Sequence, residues 1–282
     1  MKIKKTLFLI IFFGPALYAA YFSIYSYAHD LAYKLPYNAP MFCKEIKQVF
    51  PRVVILGDSI THGRVSFNYI DTLAEKFKGR LEFINAGVNS NLAYNALQRV
   101  NAVIDCNPSY AIILIGTNDV NATLDDSKKK KYIETMNLPR EPEKGWYRDN
   151  LKEIIKTLRS KTNAKIAILS LPLIGEEVNS TANNRILEYN NIIKYLSDEM
   201  QLTYLPLYEK QIDYIKDKKI TKDACESSDT LVIKAVAFHY LLGKSWDQIS
   251  EMNGFNLTTD CLHFNGKGAG MISDLIGEFL SR

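Results

Sequence analysis

Two short, uninterrupted apolar runs constrain the fold of this chain more than any other feature. Residues 53–56 (Val-Val-Ile-Leu) end at Gly57, and residues 111–115 (Ala-Ile-Ile-Leu-Ile) end at Gly116. Apolar runs without polar alternation are typical of strands that are buried on both faces, as in parallel sheets. Similar segments lie at 81–84, 166–171 and 203–207. The sequence therefore predicts a five-stranded parallel sheet.

Amphipathic helical patterns separate the predicted strands. Apolar residues recur at near-helical spacing in residues 66–77, 92–104, 150–159, 186–200 and 271–280. This alternation of strands and helices predicts a three-layer α/β/α sandwich of the flavodoxin-like type. Residues 121–146 are polar, rich in lysine and broken by Pro139 and Pro142, so we expect a long surface loop there.

Residues 209–258 do not fit this alternation. They combine a charged run at 216–219 with an apolar run at 231–242. A structureless loop of that length is uncommon inside a domain. We therefore expect a small helical insertion beside the strand ends, where it is a candidate lid.

The N-terminal residues have the character of a membrane segment. Residues 6–25 contain no charged side chain and follow three lysines, at positions 2, 4 and 5. A helix over this stretch would be about 30 Å long, which is enough to cross a bilayer. The preceding lysines orient it with the rest of the chain outside the cytoplasm, in a periplasmic or extracellular location. A cleaved signal peptide is the alternative, since small residues at 26 and 28 suit a cleavage site, and the protein would then be secreted.

These patterns divide the chain into three parts. We expect residues 1–28 to be the anchor or signal segment, 29–50 a connector, and 51–282 the folded domain with the insertion at 209–258. The net charge of +4 forms no basic stripe with interleaved aromatic residues, which argues against nucleic-acid binding.

Four cysteines, at positions 43, 106, 225 and 261, are far apart and lack zinc-site spacing. One or two disulfides are plausible in an exported protein, and four free thiols are the alternative. Cys225 with Cys261 is the pairing that we would test first.

Residues that can offer hydroxyl, backbone or amide hydrogen-bonding groups follow the first three predicted strands, whose ends meet at one edge of a parallel sheet. Ser59 follows the first strand, Gly87 the second and Asn118 the third, while Asp260 and His263 precede the last helix. A serine hydroxyl becomes nucleophilic when a histidine takes its proton, and a carboxylate orients that histidine. Backbone and side-chain N–H groups can stabilise the oxyanion that then develops. The combination suits acyl transfer.

Four sequence blocks resemble those of the SGNH, or GDSL-type, hydrolases. They are Gly57-Asp58-Ser59-Ile60, Gly87, Gly116-Thr117-Asn118-Asp119 and Asp260-Cys261-Leu262-His263. The resemblance runs from about residue 53 to the C-terminus, apart from the insertion. One departure is Cys261, at a place where this family usually has a small residue, often glycine.

The resemblance implies an α/β/α fold and a serine esterase with Ser59 as nucleophile, His263 as base and Asp260 as its orienting carboxylate. It places the N–H groups of Ser59 and Gly87 and the side chain of Asn118 in the oxyanion hole. It also implies a metal-free enzyme without a cofactor. The expected substrate is an acyl ester, on either a lipid or a glycan.

Three alternatives remain open from the sequence. The acyl-enzyme could transfer its acyl group to a sugar hydroxyl, which would make the protein an O-acyltransferase or a deacetylase of cell-envelope glycans. The fold could instead serve a catalytically silent binding protein. His62, three residues after Ser59, is a rival base, although no carboxylate partner is evident for it in the sequence.

Overall fold

A computed structural model describes residues 23, 26–45, 47–219, 225 and 228–282. Its five strands are β1 (Arg52–Gly57), β2 (Glu82–Gly87), β3 (Tyr110–Leu114), β4 (Lys165–Leu169) and β5 (Thr203–Leu205). Its helices are α1 (Ser59–His62), α2 (Tyr69–Lys76), α3 (Ala93–Gln98), α4 (Val100–Ile104), α5 (Thr117–Asn121), α6 (Asp126–Thr135), α7 (Lys144–Lys161), α8 (Thr181–Glu199), α9 (Leu207–Ile215), α10 (Ser228–Leu242), α11 (Trp246–Met252) and α12 (Gly266–Leu280).

The sheet is parallel throughout, with the strand order β2-β1-β3-β4-β5. The order reverses direction between β1 and β3, and such a switch point opens a crevice at the carboxyl ends of the two strands. Gly57 at the end of β1 lies between Gly87 of β2 and Leu114 of β3. The segments that follow these strands therefore start side by side.

Helices cover both faces of the sheet. Helix α12 packs on α2 and α9, whereas α7 packs on α3, α4 and α8. The residues of β1 are all buried, as a strand covered on both faces requires. The five-stranded α/β/α sandwich expected from the sequence is therefore confirmed.

Residues 26–33 are helical, and residues 34–45 run along the β2 edge of the sheet. The Asn85 N–H donates to Asn38 O at 3.0 Å, and Asn38 Nδ2 donates to Phe83 O at 2.8 Å. A disulfide joins Cys43 to Cys106, which lies between α4 and β3. The stretch expected to be a connector thus packs on the domain, while the boundaries at residues 28 and 50 stay predictions.

The predicted membrane segment at 6–25 lies outside the described residues, apart from residue 23. Within the part of the chain that the structure describes, no helix has both the length and the apolar character needed to cross a bilayer.

Two local predictions were wrong. The stretch 121–146 is not one loop, because it contains the whole of α6 and the start of α7. No residue of α6 is buried, and its four consecutive lysines made the stretch look like a solvated loop in the sequence. The helix predicted at 92–104 is two shorter helices that meet at Arg99. The expected insertion contains helices, as predicted: most of α9 and the whole of α10 and α11 lie among its described residues.

Candidate active site

Ser59 is the first residue of the one-turn helix α1, directly after β1. Asp58 caps this helix by accepting the Ile60 N–H on Oδ1 at 3.0 Å. The cap fixes the turn between strand and helix, and it leaves the Ser59 N–H without an intrahelical acceptor. Ser59 thus presents both its hydroxyl and its N–H at the switch point of the sheet.

Asp260 and His263 lie on a tight loop before α12. Asp260 Oδ1 accepts the N–H groups of Leu262 and His263, at 3.1 and 2.9 Å. Cys261 has a φ of 77°, the left-handed backbone conformation that favours glycine. It is bonded through a disulfide to Cys225, as the sequence suggested, and its carbonyl accepts the Gly175 N–H at 2.7 Å. The disulfide holds the loop in place despite the departure from glycine.

Ser59, His263 and Asp260 form one hydrogen-bonded line. Ser59 Oγ lies 2.9 Å from His263 Nε2, and His263 Nδ1 lies 2.9 Å from Asp260 Oδ2. The Asp260 side chain is fully buried, and that of His263 is 7% exposed. These are the contacts that a nucleophile, a base and an orienting carboxylate require.

The surroundings of His263 favour its protonated form. Burial lowers the pKa of the imidazole, but the charge and the hydrogen bond of Asp260, together with the charge of Asp58, outweigh this effect and raise the pKa above its usual value. A base with this preference takes a proton from a neighbouring hydroxyl readily.

The orientation of the Asn118 amide follows from its neighbours. One side-chain atom lies 3.0 Å from the carbonyl oxygen of Asn91, which can only accept, so that atom is Nδ2. The other atom, Oδ1, lies 2.6 Å from the hydroxyl of Tyr132. The second N–H of the Asn118 amide is left to face another acceptor.

The structure corrects the assignment of Gly87 to the oxyanion hole. Its N–H donates to Asn85 Oδ1 at 2.9 Å, so it is already engaged within its own segment. A Cβ at this position would lie 2.2 Å from the backbone nitrogen of His62. Gly87 is therefore needed for the close packing of β2 against α1.

Ser90, three residues further on, offers a better donor. Its φ is 62°, and no acceptor for its N–H is found among the described residues. It immediately precedes Asn91, whose carbonyl binds Asn118. This role of Ser90 was hard to predict from the sequence, because a serine does not mark a left-handed backbone position as a glycine does.

The model of the GDSL-like lipase/acylhydrolase family matches residues 55–270. The chain belongs to this family. It is accordingly an ester-bond hydrolase, and the matched stretch includes Ser59, Asn118, Asp260 and His263. The chain has no match among curated protein sequences.

Solved structures with the same fold include other esterases. The acetyl xylan esterase AlAXEase is 20% identical with a TM-score of 0.55, over 81% of this chain and 99% of that one. Axe2, an acetylxylan esterase from Geobacillus stearothermophilus, is 14% identical with a TM-score of 0.59, over 82% and 94%. The lipase/acylhydrolase from Enterococcus faecalis is 19% identical with a TM-score of 0.53, over 82% and 95%.

His62 does not take the place of His263 in this GDSL-family site. The hydrogen bond of the Ser59 hydroxyl is to His263, and His62 is 4% exposed at the other end of α1. Burial and the charge of Arg64 lower the pKa of His62 to about 4. It is therefore neutral near pH 7 and contributes to packing.

Two residues near the site, Arg99 and Tyr132, make contacts that have no signal in the sequence. Arg99, where α3 meets α4, donates to the carbonyls of Gly57 and Ala86, at 2.8 and 2.7 Å, and to Asn91 Oδ1 at 2.7 Å. It ties the ends of β1 and β2 to the loop that carries Ser90. Tyr132 binds Asn118 from α6, a stretch that was expected to be loop. Both contacts are long-range, and neither residue belongs to a motif.

A buried carboxylate anchors the loop before Asp260. Glu176 Oε1 accepts the N–H groups of Asn256, Leu257 and Thr258, at 2.9, 2.7 and 2.9 Å. Asn256 Nδ2 donates to Oε2 at 2.9 Å. Glu176 therefore holds the strand-like segment from which the Asp260 loop departs.

Proposed function

We propose that the protein is a serine esterase that cleaves carboxylic esters through an acyl-Ser59 intermediate. The observation that carries this proposal is the unbroken line from Ser59 Oγ to His263 Nε2 and from His263 Nδ1 to Asp260, with both distances at 2.9 Å. Membership in an acylhydrolase family supports it.

In the first half of the reaction, Ser59 Oγ attacks the ester carbonyl while His263 Nε2 accepts its proton. The carbonyl oxygen becomes an oxyanion, for which the Ser59 N–H, the Asn118 amide and the Ser90 N–H are the proposed donors. Collapse of this intermediate breaks the ester C–O bond, and His263 gives its proton to the departing alcohol oxygen. The acyl group remains on Ser59.

In the second half, a water molecule gives a proton to His263 and attacks the acyl carbonyl. The Ser59–acyl bond breaks, Ser59 Oγ recovers the proton, and a carboxylic acid leaves. Asp260 stays ionised throughout and stabilises the imidazolium that forms in each half.

The proposed location is outside the cytoplasm, through the N-terminal segment as an anchor or a cleaved signal. Two disulfides support this location, since such bonds persist in oxidising compartments. The proposed substrate is an acyl ester of a glycan. The acetylxylan esterases with this fold support a glycan ester, and the lipase/acylhydrolase with the same fold makes a lipid ester the alternative.

Hydrolysis of p-nitrophenyl acetate by the purified protein tests the proposal. We expect turnover by the wild type, and a loss of at least about a thousandfold in kcat for Ser59→Ala and His263→Ala. Product analysis with added glycan distinguishes hydrolysis from acyl transfer to a sugar. Unchanged turnover in Ser59→Ala would refute the assigned nucleophile.

A further inference from the structure

A cleft of about 430 Å³ opens beside the end of α1, outside the triad and the proposed oxyanion donors. One wall is formed by Tyr37 and by the loop after α1, with Arg64 and Phe67. The opposite wall is formed by Tyr240 and Trp246 of α10 and α11. The cleft is thus shared by three stretches of chain that are distant in the sequence.

The cleft is built in part on the segments that carry the reacting groups. His62 lines it and lies three residues after Ser59 in α1, a rise of about 4.5 Å along a helix. The Phe67 N–H donates at 2.9 Å to the carbonyl of Phe264, the residue after His263. Because His263 gives its proton to the departing alcohol, we expect an alcohol of several sugar units to extend from the triad towards this cleft.

The lining combines ring faces with hydrogen-bonding groups. The rings of His239 and Trp246 stack at 4.0 Å, and Tyr240 donates at 2.7 Å to Arg64 O, which holds α10 against the loop after α1. Tyr37 is 70% exposed, and its hydroxyl lies 3.4 Å from Asp71 Oδ1.

These features favour a saccharide over an acyl chain. The exposed ring of Tyr37 can bind the apolar face of a sugar ring, and amide, carboxylate and guanidinium groups can bind its hydroxyls. Asn68 Oδ1 accepts the Ile70 N–H at 3.1 Å, which leaves the Asn68 amide N–H groups for a ligand. An acyl chain would instead need a continuous apolar surface, which the charged groups of Asp71 and Arg64 interrupt.

We propose that this cleft binds the saccharide part of the ester substrate. The proposal rests on the esterase function above, but saccharide binding can be measured without turnover. Calorimetric titration of Ser59→Ala protein with xylotetraose or chitotetraose should give a dissociation constant at or below about 1 mM for at least one of them. Tyr37→Ala, made in the same protein, should weaken that binding about tenfold. Absence of binding by both saccharides, or equal binding by Tyr37→Ala, overturns the proposal.

Steady-state kinetics separate this proposal from the esterase function. In the Ser59-containing protein, Tyr37→Ala and Asp71→Ala should raise KM for an acetylated oligosaccharide about tenfold and leave kcat/KM for p-nitrophenyl acetate within about twofold. Tyr195→Ala is the matched control, because Tyr195 is 60% exposed on α8, outside the cleft. Equal losses on both substrates would overturn the proposal for the cleft, while failure of p-nitrophenyl acetate turnover in the wild type would count against the esterase instead.

Tyr132 is connected to the proposed oxyanion hole by a separate set of hydrogen bonds. The side chains of Asn121, Tyr132 and Asn118 form a row of hydrogen bonds in which each group can take only one role, as donor or as acceptor. Asn118 must present Oδ1 to Tyr132, so the Tyr132 hydroxyl donates, and its oxygen is left to accept from Asn121 Nδ2 at 3.2 Å. The amide of Asn118 is therefore held with its Nδ2 away from α6.

We infer that Tyr132 is a positioning residue for the oxyanion hole. Without its hydroxyl, the Asn118 amide keeps only its hydrogen bond to the Asn91 carbonyl, and the side chain can then move away from the position in which Nδ2 donates to the developing oxyanion. Tyr132→Phe keeps the ring and removes the donor. We expect kcat to fall about five- to tenfold with KM nearly unchanged, since the loss is of one hydrogen bond felt in the transition state.

A double-mutant cycle supplies a readout that a purely structural role would not change. Asn118→Ala should lower kcat strongly, and Tyr132→Phe added to Asn118→Ala should lower it no further. Melting temperatures of all variants serve as the folding check. Additive losses of kcat in the cycle would overturn the inference. So would a further fall in kcat that accompanies a loss of stability when Tyr132→Phe is added to Asn118→Ala.

Discussion

Ser59 Oγ lies 2.9 Å from His263 Nε2, although 204 positions separate the two residues in the chain. The parallel sheet delivers Ser59 to the switch point, and the loop that begins at Asp260 brings His263 to the same place. Activation of the serine depends on this contact. The predictions below test His263, the packing of α1 on β2, the loop that carries Asp260, and Ser59.

The pH dependence of turnover should report His263. Only neutral His263 can accept the Ser59 proton, and its pKa is raised by Asp260 against the opposing effect of burial. We therefore expect kcat/KM to rise with pH through an inflection above about 6.5, the usual value for histidine. In Asp260→Asn the raising effect is lost while burial remains, so the inflection should move to lower pH as kcat falls. An inflection that moves upward would contradict the assigned pair.

Substitutions at Gly87, the last residue of β2, and at Ser90, in the turn that follows, should have different effects. A Cβ at Gly87 would lie 2.2 Å from His62 N, so Gly87→Ala should lower the free energy of unfolding by about 1–3 kcal/mol. Ser90→Gly suits the φ of 62°, so it should preserve both stability and kcat. Chemical denaturation and p-nitrophenyl ester turnover check both. A stable Gly87→Ala protein would mean that α1 can move away from β2.

The Cys225–Cys261 disulfide should stabilise the loop between Asp260 and His263. Cys225→Ser should lower the free energy of unfolding by about 2–4 kcal/mol and reduce kcat as the loop loosens. Adding Cys261→Gly should recover part of the stability, because glycine adopts a φ of 77° without strain. Urea denaturation with parallel activity assays measures each effect. Unchanged stability in Cys225→Ser would show that the bond does not constrain the loop.

Glu176 should be required for the placement of the Asp260 loop. Glu176→Gln replaces one carboxylate oxygen by an NH2 group that cannot accept, so Asn256 Nδ2 loses its partner and the N–H groups of residues 256–258 face a neutral oxygen instead of a charged one. We expect a loss of about 2 kcal/mol in stability and a lower kcat. Glu177→Gln is the matched control, since the neighbouring Glu177 side chain is exposed. Equal behaviour of the two variants would remove the anchoring role.

The strands and the reacting residues were predictable from the sequence because short-range patterns encode them. The run at 53–56 marks β1, Ser59 follows its end, and Asp260 and His263 stand in a family motif before the last helix. The N–H donors of the proposed oxyanion hole were harder to predict from the sequence. Gly87 was assigned from its residue type, whereas its N–H is engaged by Asn85, a contact that depends on side-chain orientation.

Helix α6 shows why the rest could not be predicted. Its lysine run gave no amphipathic pattern, and its start is marked only by Asp125, whose Oδ1 accepts the Lys128 N–H at 2.8 Å. The role of Tyr132 depends on where α6 docks. Such docking is set by tertiary packing around Leu92, Ala122 and Leu138, and no local pattern records it.

Covalent labelling of Ser59 by a fluorophosphonate tests the central claim most directly. The folded wild-type protein should form one adduct, which peptide mass spectrometry places on Ser59. His263→Ala should react far more slowly, because its serine lacks a base. An adduct on another residue, or a folded wild-type protein that does not react, would contradict the assignment of Ser59 as the nucleophile.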